Sequence, residues 1–149
     1  MRTSSITILQ KESYLAIIHN SVGANLFRNL YALVNGKRAD IMRDGDLSCA
    51  FFVSFILLGF SFIKSLHGTV NGTVKDMKSS GWRRIKKPRK GCIVVWSSAT
   101  DENGESHKHI GFYIGGGKAI SNDSKKRSPC IHPYKIRKFD TLYWNVKLK

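Results

Sequence analysis

Two short segments carry the residues able to do chemistry. Cys49 heads an apolar run in Gly45-Asp46-Leu47-Ser48-Cys49-Ala50-Phe51-Phe52-Val53, and His109 opens His109-Ile110-Gly111-Phe112-Tyr113-Ile114 ahead of Gly115-Gly116-Gly117. A thiol must ionise to attack a carbonyl, and the free N–H groups and dipole of a helix start favour the thiolate. Asp46 suits an N-cap, which puts Cys49 in the first turn and predicts a lowered thiol pKa. The backbone N–H groups there, that of Cys49 included, are donors for a developing oxyanion. An imidazole would take the thiol proton and return it to the leaving amine. On a strand, His109, Gly111 and Tyr113 share one face and Ile110, Phe112 and Ile114 the other. The apolar set belongs in the core, so His109 faces whatever lies over the sheet, and Gly111 leaves room for a helix or substrate to approach. Singly, a cysteine at a helix start is most often a small core hydrophobe. The pairing with His109 is what points to a cysteine hydrolase.

The elements that must position this pair divide the chain in two. Residues 1–12 read as a flexible tail and residues 13–149 as a single domain. Ser13 to Tyr31 has apolar residues at helical spacing, with Ser13 as cap. Asn35-Gly36 ends that helix or makes a turn, and Lys37 to Asp44 is a polar connection. A helix from Leu47 to Lys64, apolar all round, should be covered on every side, and Thr73 to Ser80 gives a short helix. The second half changes character. Cys92–Trp96, His109–Ile114, Lys118–Ser121, Ile131–Ile136 and Thr141–Val146 read as strands, the second and third flanking the three glycines as a hairpin. Helices followed by an antiparallel sheet make an α+β fold.

Composition bounds the rest. A chain of 149 residues with 42% hydrophobic content suffices for one packed core and argues against disorder. Twenty-five Lys and Arg against 10 acidic residues give a net charge of +15, which favours anionic partners. An odd count of three cysteines argues against a disulfide framework. The first ten residues lack the pattern of a signal peptide, so cytoplasmic retention is the default expectation, with export by another route or association with the cell envelope left open. Leu47 to Ile63 is of a length at the lower edge of the roughly 17–25 residues that span a bilayer. A buried core helix gives the same pattern and is preferred.

At this point the chain resembles the NlpC-type branch of the papain-like cysteine peptidases and amidases. The nucleophile segment of that family, an Asp-Cys-Ser-Gly-Phe-Val-like helix start, is matched by Leu47-Ser48-Cys49-Ala50-Phe51-Phe52-Val53. Its following strand is matched by Gly91-Cys92-Ile93-Val94-Val95-Trp96. Its histidine segment is matched closely by His109-Ile110-Gly111-Phe112-Tyr113-Ile114-Gly115-Gly116-Gly117-Lys118. The likeness runs from about Tyr31 to Ser121; CHAP amidases look similar at the strand and histidine. It implies a papain-like fold with N-terminal helices on an antiparallel sheet. It also implies hydrolysis of an amide or peptide bond, often in peptidoglycan stem peptides, with a peptide or muropeptide substrate and no cofactor or metal. Cys49 is then the nucleophile and His109 the base. Ser121 aligns with the third residue, which orients the histidine; Asn122 and His132 are its alternatives. Tyr31 and Ser48 fall on the substrate and oxyanion side, Ser48 standing where the family usually has Asp.

Two other readings use different residues. His107, His109, Cys130 and His132 are two i, i+2 pairs that could hold zinc tetrahedrally. Alternatively, the basic run Arg83, Arg84, Lys86, Lys87, Arg89 and Lys90, read as a loop, joins Lys125-Lys126-Arg127 in a non-catalytic module binding nucleic acid or another polyanion. Trp82 and Trp96 would then offer stacking faces.

Overall fold

The computed structural model describes residues 4–149. Three helices precede an antiparallel sheet, so the α+β class expected from the order of periodicities is the one observed. Residues 1–3 of the expected tail lie outside the described residues.

The first helix, α1 (Gln10–Asn20), begins earlier and ends sooner than the expected Ser13–Tyr31. Its end is set by Gly23, whose φ of 77° is left-handed and whose N–H is held by the Pro129 carbonyl at 2.9 Å. Tyr31 instead opens a small hairpin, β1 (Tyr31–Val34) and β2 (Lys37–Asp40). Asn35 and Gly36 form its turn, both at positive φ, the conformation that two-residue hairpin turns demand. The segment expected as a polar connection therefore contains a strand.

Helix α2 (Cys49–Gly59) carries the apolar run and is shorter than the expected Leu47–Lys64. Ser61 adopts φ 57°, and the chain turns back so that Phe62 packs edge-on against Tyr14 and Trp82. The cap is Ser48 and not Asp46, and no side chain closes it. Nor is α2 covered on every side: Phe55 is 51% exposed. Among the described residues no helix is long and apolar enough to cross a membrane. Helix α3 (Val70–Ser79) is N-capped by Thr69, whose side chain accepts the Gly72 N–H. Asp76 ties α3 to the preceding turn, accepting from the N–H groups of Lys64 and Ser65, the Ser80 hydroxyl and the His67 ring.

The main sheet has six strands in the order β3 (Arg83–Ile85), β8 (Phe139–Trp144), β4 (Ile93–Thr100), β5 (Ser106–Gly115), β6 (Lys118–Asp123), β7 (Ser128–Pro133). All its pairings are antiparallel. The basic run is thus part strand, since Arg83 and Arg84 lie on the edge strand β3. The strand expected at Ile131–Ile136 lies at Ser128–Pro133; it is an edge strand and so accommodates two prolines. The one expected at Thr141–Val146 lies at Phe139–Trp144.

Alternation sorts the sheet's two faces. Ile93, Val95, Ile110, Phe112 and Ile120 pack with the helices in the larger core, around Tyr14, Phe52 and Phe62. Cys92, Val94, Trp96, Ala119 and Leu142 build a smaller cluster on the other face. A buried aromatic side chain contributes roughly 1.5–3 kcal/mol of transfer free energy. The edge-on contacts of Tyr14 with Phe60, Phe62 and Phe112 add to this and fix where α1 sits.

Candidate active site

The start of α2 meets β5 and β6, where a cavity of about 1090 Å³ is lined by Cys49, His109, Ser121, Asn122, His132 and Arg137 among others. The loop before Cys49 is held by strained backbone. Arg43, Asp44 and Gly45 all have positive φ, and a Cβ on Gly45 would meet Arg127 Cβ at 2.7 Å. The Asn122 amide donates to the Gly45 carbonyl at 2.8 Å, so this neighbour of Ser121 anchors the nucleophile loop and is not engaged with the histidine. Because Cys49 begins the helix, the N–H groups of Cys49, Ala50 and Phe51 have no intrahelical partner. The Phe52 N–H is already bonded to the Ser48 carbonyl at 2.9 Å. The Ser48 hydroxyl is buried with no hydrogen-bond partner.

The histidine is built into a chain of side chains. His109 Nε2 lies 2.8 Å from Ser121 Oγ, and Ser121 Oγ lies 2.6 Å from His132 Nε2. Sheet register explains the arrangement. Ser121 pairs with Cys130 and Ala119 with His132, so His132 reaches Ser121 diagonally on one face of the sheet. Trp96, opposite His109 in register, covers both rings at centroid distances of 5.2 and 5.4 Å. Its indole N–H is fixed on the Tyr134 carbonyl at 2.7 Å. The room made by Gly111 is taken by this cluster and not by a helix or substrate: a Cβ there would meet Ile120 O and Ser121 Cβ, each at 2.7 Å.

Hydrogen-bond directions follow from one end. His132 Nδ1 lies 2.8 Å from the Pro133 carbonyl, which only accepts. In neutral His132 the proton is therefore on Nδ1 and Nε2 accepts the Ser121 O–H. Ser121 Oγ in turn accepts from His109 Nε2–H, which leaves His109 Nδ1 with the free lone pair. Among the described residues no hydrogen bond joins the Cys49 thiol to the His109 ring; the backbone N–H groups of Ile110, Ala50 and Cys49 itself act on the sulfur.

Electrostatics correct one expectation. Burial raises the Cys49 thiol above its ordinary value; the Ile110 and Ala50 N–H groups, the charge on Arg137 and the cysteine's own N–H pull it down without overcoming burial. Desolvation thus outweighs the helix start. His109 is pushed down to about 3, chiefly by burial, with Arg137 and His132 adding to the effect. At neutral pH the resting pair is a thiol and a neutral imidazole. Cys92, fully buried just ahead of β4, is pushed up to about 11 by burial. Burial also raises Cys130, helped by the charge of Asp123.

The remaining candidates are dispersed. Tyr31 is 57% exposed on the β1–β2 hairpin, with the Arg38 guanidinium over its ring, and does not line the cavity. The four residues of the zinc reading have separate partners. His107 faces Asp101 and Glu105, His109 and His132 share Ser121, and the Cys130 thiol donates to Asp123 at 3.8 Å. Trp82 and Trp96 are buried in the two cores and offer no stacking face, which removes that part of the nucleic-acid reading. The six basic residues from Arg83 to Lys90 are exposed, and none is in an ion pair among the described residues. Two residues of the site were not expected in these places. Trp96 walls both histidines through strand register, and Arg137 enters the cavity from the β7–β8 connection.

No protein-family model matches the sequence, and no curated protein matches it. A solved structure of NlpC2 from Trichomonas vaginalis is similar in fold, with a TM-score of 0.53 at 13% sequence identity. The match takes in 97% of this chain and 49% of that one, so this chain spans about half the length of the neighbour. At that identity the likeness speaks for an NlpC-like arrangement of helices and sheet and not for any residue's role.

Proposed function

We propose that this protein is a papain-like cysteine amidase or peptidase of the NlpC type, with Cys49 as nucleophile and His109 as general base. The observation that carries this reading is the convergence on one cavity of a cysteine at a helix start and a histidine whose Nε2 is occupied by Ser121. In the attack step the Cys49 proton moves to His109 Nδ1 as sulfur bonds to the scissile carbonyl carbon. The oxyanion is held by backbone N–H groups at the start of α2. His109 then protonates the leaving amine, and a water deprotonated by the same nitrogen releases the acyl group from sulfur. Ser121 and His132 are positioning residues that hold His109 in the tautomer with Nδ1 free. Since the resting pair is neutral, proton transfer accompanies attack and is not completed before it.

The substrate class we infer is a peptide or muropeptide amide. Incubating the protein with peptidoglycan-derived stem peptides and mapping new amine termini by mass spectrometry tests this. Cleavage lost in both Cys49→Ala and His109→Ala is the expected result. Cleavage that survives Cys49→Ala would overturn the mechanism.

One observation favours a polyanion contact on the same molecule. A second cleft of about 560 Å³ is lined by Lys75, Lys78 and Arg84 and adjoins the first through Val70, Asn71 and Lys108. A charged wall polymer or nucleic acid bound there would dissociate steeply with salt. Titration with a defined polyanion across ionic strength, comparing wild type with Arg84→Glu, tests this contact. Binding indifferent to both would reject it.

A further inference from the structure

We infer that Arg137 is the binding residue for a carboxylate carried by the substrate next to the bond that Cys49 attacks; this rests on the cysteine-hydrolase reading. Arg137 lines the same cavity as Cys49 and His109. Its Nε is shut off from solvent without a hydrogen-bond partner, and its contact through Nη2 is a long one, 3.4 Å to the His107 carbonyl. Among the described residues no carboxylate lies within ion-pair distance of it. A half-buried guanidinium left in this state bears a desolvation cost that nothing in the fold offsets. Arg137 is only partly buried, so an anion in the cavity would offset that cost through the part of the guanidinium that solvent still reaches.

Place and shape narrow the anion. Arg137 shares the cavity with Cys49 and His109, and its charge acts on both, so a group bound to it occupies the cavity that holds the reacting atoms. The planar fork of a guanidinium matches the two oxygens of a carboxylate. Of the three acids lining the cavity, Asp46 makes no ion pair with Arg137 and the other two are already engaged. Asp101 accepts from the Asn103 and Glu105 N–H groups. Asp123 accepts from those of Lys125 and Lys126. Arg137 thus remains available to an incoming carboxylate, and it would place that group as well as stabilise the thiolate formed during attack.

Alkylation of Cys49 separates these roles without a known substrate. Iodoacetate and iodoacetamide deliver the same carbon to sulfur with loss of iodide and differ in carrying a carboxylate or a neutral amide. Rates at Cys49, resolved by peptide mapping, are divided to give an acid-to-amide ratio, normalised to that of N-acetylcysteine at the same pH. Any effect on thiolate formation cancels in this ratio. The expected normalised ratio is about tenfold or more in the wild type, in line with a charge-assisted hydrogen bond. It should fall close to one in Arg137→Gln and lie between in Arg137→Lys, which keeps a point charge without the fork. A wild-type ratio near one overturns the inference whatever the variants do. A high ratio unchanged in folded Arg137→Gln or Arg137→Lys overturns it too. In either case, Cys49 alkylation by iodoacetamide that still depends on His109 would leave the hydrolase reading standing.

Discussion

Ser121 Oγ stands between two imidazoles, 2.8 Å from His109 Nε2 and 2.6 Å from His132 Nε2. A hydroxyl can donate one proton and accept others, so it relays a tautomer choice from one ring to the next. The Pro133 carbonyl fixes His132, His132 fixes the Ser121 proton, and Ser121 fixes His109. A second histidine thereby extends the reach of the short serine side chain.

The relay predicts ring protonation directly. Long-range proton–nitrogen NMR on protein labelled in histidine should find neutral His109 protonated on Nε2 and neutral His132 on Nδ1. Ser121→Ala should mix the His109 tautomers and lower turnover, by less than the roughly 10²–10⁴-fold expected for loss of the base in His109→Ala. Finding His109 protonated on Nδ1 in the neutral wild type would break the assignment.

Gly111→Ala should be costly although the backbone there is ordinary. The added methyl would meet Ile120 O and Ser121 Cβ at 2.7 Å and Trp96 at 3.1 Å. Overpacking of this kind costs about 1–3 kcal/mol, read as a Tm lower by several degrees. The same change should displace Ser121 and disturb the histidine tautomers. A variant with wild-type Tm and unchanged histidine spectra would show that the β5–β6 contact is looser than described.

Acid should destabilise the fold partly through His109. The folded protein refuses a proton there until about pH 3, whereas the unfolded chain takes it near the ordinary value of 6.5. The stability is present above that ordinary value and lost as pH falls towards the folded one, by an amount of order a few kcal/mol. His109→Gln should therefore narrow the Tm difference between pH 7 and pH 4. Asp76 will still contribute acid sensitivity: burial pushes its carboxyl up, but hydrogen bonds from His67, Lys64, Ser80 and Ser65 hold it below the usual range. An unchanged Tm difference in the variant would mean that His109 is not held neutral by burial.

How much of this was legible in the sequence follows from what each feature depends on. The cysteine helix and histidine strand were readable because their apolar periodicity and flanking glycines are local. Helix ends were not, since α2 stops where Phe60 and Phe62 turn back onto Tyr14, a contact between distant segments. The β1–β2 hairpin was missed because most of its residues are exposed and it lacks an apolar face. His132 was one of three alternatives for orienting His109, and only register shows it acting through Ser121. The thiol's raised pKa was invisible because a helix start is a local signal and burial is not.

The central claim is that Cys49 is a thiol nucleophile dependent on His109, and site-resolved alkylation by iodoacetamide tests it most directly. Native protein is labelled at graded pH, and the rates at Cys49, Cys92 and Cys130 are compared between wild type and His109→Ala. Cys49 should react fastest near neutral pH: Cys92 is buried, and Cys130, which lines the same cavity, is held on the Asp123 carboxylate, whose charge opposes its ionisation. Its rate should rise with pH without the acidic plateau of a preformed thiolate–imidazolium pair, and it should slow in His109→Ala while Cys130 is unaffected. If Cys92 or Cys130 labels first, or if Cys49 is indifferent to His109, the account is contradicted.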